Sequence, residues 1–199
     1  SEETVVVATG YGRISADFAD YIITEISCHG KGAYALTGRD GTIIDVGGQD
    51  TKIIQMEDGK VSDFLMNEKC AAGTGKFVEI MSNRLGITIE ELFRMAQEGT
   101  PLSISSLCTV FAESEVVSLI AQNKHTDDIV HGLNKAVAAK TASLVKRVGG
   151  EEAYMMTGGV AQNKGLVKTL EERLGTSLVI SPKSQLCGAL GAALFAADM

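Results

Sequence analysis

The residues best suited to chemistry lie in one stretch, residues 42–76, where an acidic glycine loop precedes a cysteine and a second glycine-rich run. The loop places Asp45 at the end of an apolar run, followed by Gly47 and Gly48. Because glycine lets backbone N–H groups approach an anion closely, this pattern is typical of a phosphate-binding loop. A tight turn in which neighbouring N–H groups satisfy Asp45 is the alternative.

A second loop of the same kind follows another apolar run, residues 153–157. It contains Gly158, Gly159, Val160 and Gln162 and leads into a predicted helix, whose N-terminus would face a nucleotide. Two such loops in one chain favour a nucleotide site more strongly than either loop alone.

The run from Gly73 to Lys76 resembles the end of a Walker P-loop but does not fit that motif. The first glycine of the motif would fall at Cys70, and its serine or threonine at Phe77. The Walker interpretation therefore fails at two positions.

Two of the four cysteines, Cys70 and Cys108, each stand directly before a predicted helix. Helix N-termini stabilise negative charge, so these two are the candidate thiolates or cluster ligands. The alternative is that they are small buried hydrophobes, the common role of cysteine. One such pair cannot complete a four-cysteine cluster, but a symmetric dimer would bring two pairs together. Cys28 and Cys187 are interpreted as packing residues.

The three histidines, His29, His125 and His131, show no metal-ligand spacing relative to one another. His131 follows Asp127 and Asp128 closely, which is typical of a solvated helix face. The histidines therefore predict no metal site.

Alternating strand and helix patterns position these candidates and predict an α/β fold. Strands are predicted at residues 4–8, 42–46, 102–105, 153–157 and 177–181, and Asp58-Gly59 predicts a hairpin joining 51–57 to 60–67. Helices are predicted at residues 27–36, 110–121, 127–148, 162–174 and 188–197. Another is predicted after Cys70, where Phe77, Ile80, Met81 and Leu85 have helical spacing up to Gly86. One more helix should follow Thr88, whose spacing to Glu91 fits a capping box, and should end at Gly99 and Pro101.

Composition narrows the possible functions. The chain has 199 residues, 45% of them hydrophobic, which is enough for a packed core. Its net charge of −7, without a basic block, argues against nucleic acid as a partner. The sequence contains neither a signal-peptide pattern nor an apolar run of the roughly 18 residues that a membrane span needs. Its cysteines are far apart, so we expect a reduced, cytoplasmic protein.

At these motifs the chain resembles the BadF/BadG/BcrA/BcrD ATPase family, which includes ATP-dependent activators of 2-hydroxyacyl-CoA dehydratases and ATPase subunits of benzoyl-CoA reductase. The resemblance spans nearly the whole chain, and its two cysteine motifs are highly specific. The matching segments are ATGYGR (8–13), EISCHGKGA (25–33), IDVGGQDTK (44–52), MNEKCAAGTGKF (66–77), ISSLCTVFAESEV (104–116), MTGGVAQN (156–163) and GALGAAL (188–194).

The resemblance implies the ribonuclease-H-like ATPase fold of actin and the sugar kinases, with residues 1–199 as one unit made of a truncated N-terminal lobe and a C-terminal lobe. Asp45, Gly47, Gly48 and Gln49 would form the second phosphate loop, in which Asp45 positions Mg²⁺ and water. Gly158, Gly159, Val160 and Gln162 would form the adenosine loop.

By the same resemblance, Cys70 and Cys108 would hold a single [4Fe–4S] cluster shared by two subunits. ATP would then drive one electron from a flavodoxin or ferredoxin through that cluster to a partner dehydratase. Such proteins belong to anaerobic metabolism.

Members of the family also carry a first phosphate loop of the form Asp-x-Gly-Ser-Thr on an N-terminal strand and hairpin. These 199 residues do not contain that loop, so either the chain is truncated or part of the ATP site comes from elsewhere, and ATP hydrolysis by these residues alone stays open. Two other functions stay open on the residues alone: a small-molecule kinase of the same superfamily with inert cysteines, and a non-catalytic nucleotide-binding fragment.

Overall fold

A mixed sheet flanked by helices organises the chain. The computed structural model describes residues 4–95, 99–100, 102–104 and 108–199. The strands are Val7–Ala8 (β1), Tyr21–Ile22 (β2), Gly41–Val46 (β3), Thr51–Glu57 (β4), Lys60–Asn67 (β5) and Tyr154–Thr157 (β6). The helices are Glu25–Thr37 (α1), Gly75–Leu85 (α2), Ile89–Met95 (α3), Thr109–Ala121 (α4), Thr126–Val148 (α5), Lys164–Leu174 (α6) and Cys187–Ala197 (α7).

The main sheet has the strand order β5-β4-β3-β6, and β1 pairs with β2 in a separate parallel ribbon. Strand β4 runs antiparallel to both of its neighbours, whereas β3 and β6 are parallel, with Asp45 opposite Thr157. Because parallel strands end at the same edge, the loops after β3 and β6 emerge side by side. The fold therefore places both predicted glycine loops at one edge of the sheet.

Alternation along the strands produces a core on each face of the sheet. Ile44, Ile53 and Met156 join the larger core, formed with α2, α4, α5 and α6. Ile43, Ile54 and Met155 face the other way and pack with α1 and α7. The result is a three-layer arrangement in which every layer contributes to the loop edge.

Helices α1 and α7 touch through their backbones. A Cβ atom at Gly32 would lie 1.9 Å from the carbonyl oxygen of Cys187, and one at Gly191 would lie 1.8 Å from that of Cys28. Glycine at both positions is what permits this approach.

The structure confirms most of the predicted elements. The hairpin has the predicted strands, and Thr88 and Glu91 form the capping box through reciprocal bonds of 2.8 and 3.1 Å. Helices α2 and α5 end at Gly86 and Gly149, both in the left-handed conformation that favours glycine.

Three strand predictions were wrong in extent or in kind. Of residues 4–8 only Val7–Ala8 pair as a strand, and of residues 177–181 only Val179 forms a bridge, to Met155. Residues 102–104 are irregular because Leu102 donates to the carbonyl of Asp128 and packs beside α5 instead of joining a sheet. Ser105 and Pro101, also part of these predictions, lie outside the described residues.

Within the described ranges, every helix is too short or too polar to cross a lipid bilayer.

Candidate nucleotide and thiol site

A cavity of about 350 Å³ opens where the two glycine loops meet. Its lining brings together five residues that the sequence singled out: Gly47, Gly48, Gly159, Val160 and Gln162. The other walls come mainly from α2 and α3, including the apolar side chains of Val78, Ile89 and Phe93. Backbone-rich loops beside an apolar wall suit a ligand with an anionic end and a flat, less polar end.

The first loop is held by the start of α2. The amide of Gly75 donates to the carbonyl of Gly47 at 2.8 Å, and the amide of Lys76 donates to that of Gly48 at 2.7 Å. A Cβ atom at position 75 would lie 3.0 Å from the Gly47 oxygen, so glycine allows the helix to dock this closely. The loop and α2 are therefore one connected unit.

The second loop depends on Gly158, which has φ of 85°. A Cβ atom there would lie 2.3 Å from the carbonyl oxygen of Val46 and 2.9 Å from Oδ1 of Asp45. The chain continues as a short 3-10 turn, Gly159–Gln162, and α6 starts two residues later than predicted, because Asn163 caps it by accepting from the amide of Leu166. The two glycine loops thus pack directly on each other.

Asp45 lies buried behind both loops, and each of its carboxylate oxygens has a protein donor. Oδ1 accepts from Thr157 Oγ1 at 2.9 Å and lies 3.2 Å from His29 Nε2. Oδ2 lies 3.3 Å from Lys52 Nζ. Gln49, by contrast, is exposed at the tip of the first glycine loop. Asp45 and Gln49 are both absent from the residues that line the cavity.

The side chain of Lys52 is only 2% exposed and reaches three carboxylates. Besides Asp45, its ammonium contacts Glu25 Oε1 at 3.1 Å and forms a short contact with Asp50. These acids come from α1, β3 and the glycine loop. One cation therefore joins three parts of the fold.

The charges of this cluster shift its pKa values in opposite directions. Burial alone would raise the pKa of Asp45, but the His29 hydrogen bond and the charges of His29 and Lys52 lower it to about 2. Burial also opposes the charged forms of His29 and Lys52, yet their contacts with Asp45 outweigh it and raise the pKa of each. The fold thus keeps Asp45 ionised.

Glu25, His29 and Lys52 are the residues that sequence reasoning missed. The three histidines lack metal-ligand spacing relative to one another, but Glu25 and His29 are four residues apart and so share a face of α1. Lys52 lies on β4 of the hairpin. A lysine in a strand that is otherwise buried is the sequence signal that points to a buried charge.

The predicted cysteine ligands are both exposed, but their surroundings differ. Cys108 is the N-cap of α4, as predicted. Cys70 does not precede its helix directly: α2 starts at Gly75, because a turn closed by the amide of Thr74 on the carbonyl of Ala71 comes between them. Helices α2 and α4 pack together and are joined by an ion pair between Arg84 and Glu113.

Cys28 and Cys187 are buried, which confirms the prediction that they are packing residues. Burial raises the pKa of both thiols, that of Cys187 to about 11. Neither is placed to act as a thiolate at neutral pH.

Comparison with known proteins relates this geometry to a family. Over 195 residues the chain is 45% identical to the 2-hydroxyisocaproyl-CoA dehydratase activator of Clostridioides difficile, covering 97% of this chain and 73% of that protein. It is 46% identical over 192 residues to the (R)-2-hydroxyglutaryl-CoA dehydratase activating ATPase of Acidaminococcus fermentans, covering 96% and 74% of the two chains.

Among solved structures, the activator of the 2-hydroxyisocaproyl-CoA dehydratase from Clostridium difficile with bound ADPNP matches with a TM-score of 0.95 and 44% identity, over 99% of this chain and 74% of that one. This likeness confirms the expected α/β, ribonuclease-H-like ATPase fold. The model of the BadF/BadG/BcrA/BcrD ATPase family matches residues 1–196, and the chain belongs to that family.

Proposed function

We propose that this chain works as an ATP-driven electron-transfer activator, which binds and hydrolyses ATP and passes one electron through a [4Fe–4S] cluster to a 2-hydroxyacyl-CoA dehydratase or a related CoA-ester reductase. The observation that carries the proposal is the bonding between the first glycine loop and the start of α2, the helix that follows Cys70. These bonds would link the proposed nucleotide site to the segment that carries Cys70.

The cavity supports the proposal that the chain binds ATP. Gly47 and Gly48 would receive the phosphates, while Gly159, Val160 and Gln162 would hold the adenosine end. Gly158, which does not line the cavity, would shape the adenosine loop through its φ of 85°. Solved and curated relatives named for bound ADPNP and for ATPase activity support the same use.

Asp45 and Gln49 are the proposed catalytic residues. Asp45 would act as a fixed anion that orients Mg²⁺ through intervening water, since its own oxygens already have donors. Gln49, exposed at the loop tip, would orient the attacking water.

The exposed cysteines support the proposed cluster. Of the four cysteines only Cys70 and Cys108 are exposed, so one chain offers two accessible thiols, and a four-cysteine cluster needs two copies. A [4Fe–4S] cluster bound in this way would accept and release one electron. The N-cap position of Cys108 would stabilise the added negative charge.

The proposed homodimer has a candidate surface next to Cys108. Val110, Phe111 and Val117 on α4 are 66%, 66% and 46% exposed, an unusual cluster for a helix. Burying this face against its own copy would place the two cysteine pairs on a common axis. The proposed electron donor is a flavodoxin or ferredoxin, and the proposed location is the cytoplasm.

The experiment is anaerobic purification followed by iron analysis and electron paramagnetic resonance of the dithionite-reduced protein. About four irons per dimer are expected if one cluster is shared. Cys70→Ser and Cys108→Ser should each abolish the spectrum, whereas Cys28→Ala, which also removes one thiol, should keep it. A protein that takes up no iron on reconstitution would contradict the proposal and leave the two nucleotide-binding alternatives.

A further inference from the structure

Lys52 lies where a metal ion would be expected. Among the described residues, Glu25, His29 and Asp45 present one ligand atom each, and these atoms lie within 4.8 Å of one another. Two carboxylates and an imidazole are a common donor set for a divalent cation. The Lys52 ammonium contacts both carboxylates, at 3.1 and 3.3 Å, from a strand position that is almost fully buried.

The charge balance explains why a cation is needed there. Glu25, Asp45 and Asp50 bring three negative charges to one cation, and Asp45 is 2% exposed. Buried carboxylates without a counter-charge are strongly unfavourable. Lys52 supplies that charge without requiring any ion from solution.

We propose that Lys52 is a built-in cation, which occupies a latent divalent-metal site formed by Glu25, His29 and Asp45 and acts through Asp45 as a positioning residue for the two glycine loops. Asp45 accepts from Thr157, the residue before Gly158, and would contact any side chain placed at 158. Fixing this carboxylate therefore fixes the ends of β3 and β6 together. The positioning role rests on the proposed nucleotide site; the latent metal site does not.

The test removes the charge and keeps the shape, with Lys52→Met. Metal-stripped protein without nucleotide is titrated with Mn²⁺, and the free ion is followed by its six-line paramagnetic spectrum. Mn²⁺ is chosen because thiolates favour softer metals. Wild type should show only weak, unsaturable binding, and Lys52→Met should gain one saturable site per chain, at least tenfold tighter.

Three further variants define the site. The double variant Lys52→Met/His29→Leu should bind Mn²⁺ at least tenfold more weakly than Lys52→Met. Lys52→Arg should gain no Mn²⁺ site. Lys31→Met is the matched control, because Lys31 lies on α1, as Glu25 and His29 do, but pairs with Asp198. Equal Mn²⁺ binding by wild type and Lys52→Met would overturn the proposal, as would a gained site that survives loss of His29.

Lys52→Met could also fail to fold without metal. In that case Mn²⁺ should restore the circular dichroism of the folded chain, and a variant that stays unfolded with Mn²⁺ would equally overturn the proposal.

Titration with ADP tests the positioning role of Lys52. Lys52→Arg should bind ADP within about threefold of wild type, and Lys52→Met at least tenfold more weakly. Iron content, which tests the proposed function, is measured independently.

Discussion

At the scale of single residues, Asp45 connects four elements of the site. It belongs to β3, contacts side chains from α1 and β4, and accepts from the last residue of β6. Because these contacts involve an ionised carboxylate, the contribution of Asp45 to stability should vary with pH.

Asp45→Asn should show a pH-dependent loss of stability. The folded pKa of about 2 lies below the ordinary aspartate value, so the stabilisation is complete above about pH 4 and is lost as pH falls through 2. The contribution of Asp45 to the free energy of unfolding should amount to about 2 kcal/mol at pH 7 and roughly half of that at pH 3. Urea unfolding of wild type and variant at both pH values measures the difference. Asp198→Asn, at an exposed ion pair, is the control, and a pH-independent gap for Asp45→Asn would contradict the assignment.

Gly158→Ala should damage both loops at once. The new methyl group would meet the Val46 carbonyl and Asp45 in a backbone conformation that alanine adopts reluctantly, costing more than about 2 kcal/mol. Gly175→Ala is the matched control, because Gly175 has a similar φ of 76° but no atom within 4 Å, and it should cost only about 1 kcal/mol. Thermal unfolding and ADP titration provide the comparison, and equal losses in the two variants would be the contrary result.

The sequence could reveal the glycine loops but not the group that supports them. Gly47, Gly48 and Gly158 are visible because each belongs to a glycine pair that follows an apolar run, and Gly158 has a φ of 85° that favours glycine. His29 and Lys52 acquire their role only when α1 and β4 meet at Asp45, and no local pattern encodes that meeting. The missing information was tertiary.

At the scale of elements, the important contact is between α2 and the segment before it. Thr51, the first residue of β4, donates its buried hydroxyl to the carbonyl of Gly73 at 2.8 Å. Together with the Gly75 and Lys76 amides, this bond fixes the turn between Cys70 and α2 against the loop that would hold phosphate.

Thr51→Val should loosen that connection. It keeps the shape but leaves the Gly73 carbonyl unpaired, at a cost of about 1–3 kcal/mol. In wild type we expect added ADP to change the rate of Cys70 alkylation. In Thr51→Val this effect of ADP should be much smaller. Ser82→Ala is the control, since its hydroxyl bonds within α2 only. Alkylation that responds to ADP equally in Thr51→Val and wild type would rule out this route.

Elements whose ends are marked locally were the ones the sequence predicted well. The hairpin has its Asp-Gly turn, α3 its capping box and α5 its acidic start and terminal glycine. Residues 102–104 show the opposite case: the apolar run predicts a strand, but contacts with α5 decide its conformation. Apolar character alone does not distinguish a sheet partner from a helix partner.

At the scale of the whole molecule, assembly should depend on the apolar face of α4. Phe111→Asp should convert the proposed cluster-loaded dimer into monomers without cluster, because a charge would be buried at the interface. Phe64→Asp changes another exposed phenylalanine, on β5, and should leave the dimer intact. Anaerobic size-exclusion chromatography with light scattering measures both, and a dimer that survives Phe111→Asp would place the interface elsewhere.

The crossing of α1 and α7 has a consequence for how the sequence can vary. Where two main chains touch at Gly32 and Gly191, there is no space for even one methyl group. Substitution at either position must separate the helices and move Glu25 and His29 with them. Selection for function from a library randomised at both positions should therefore return glycine at each, although both lie apart from the cavity. The C-terminal helix would then be under the same selection as the nucleotide loops.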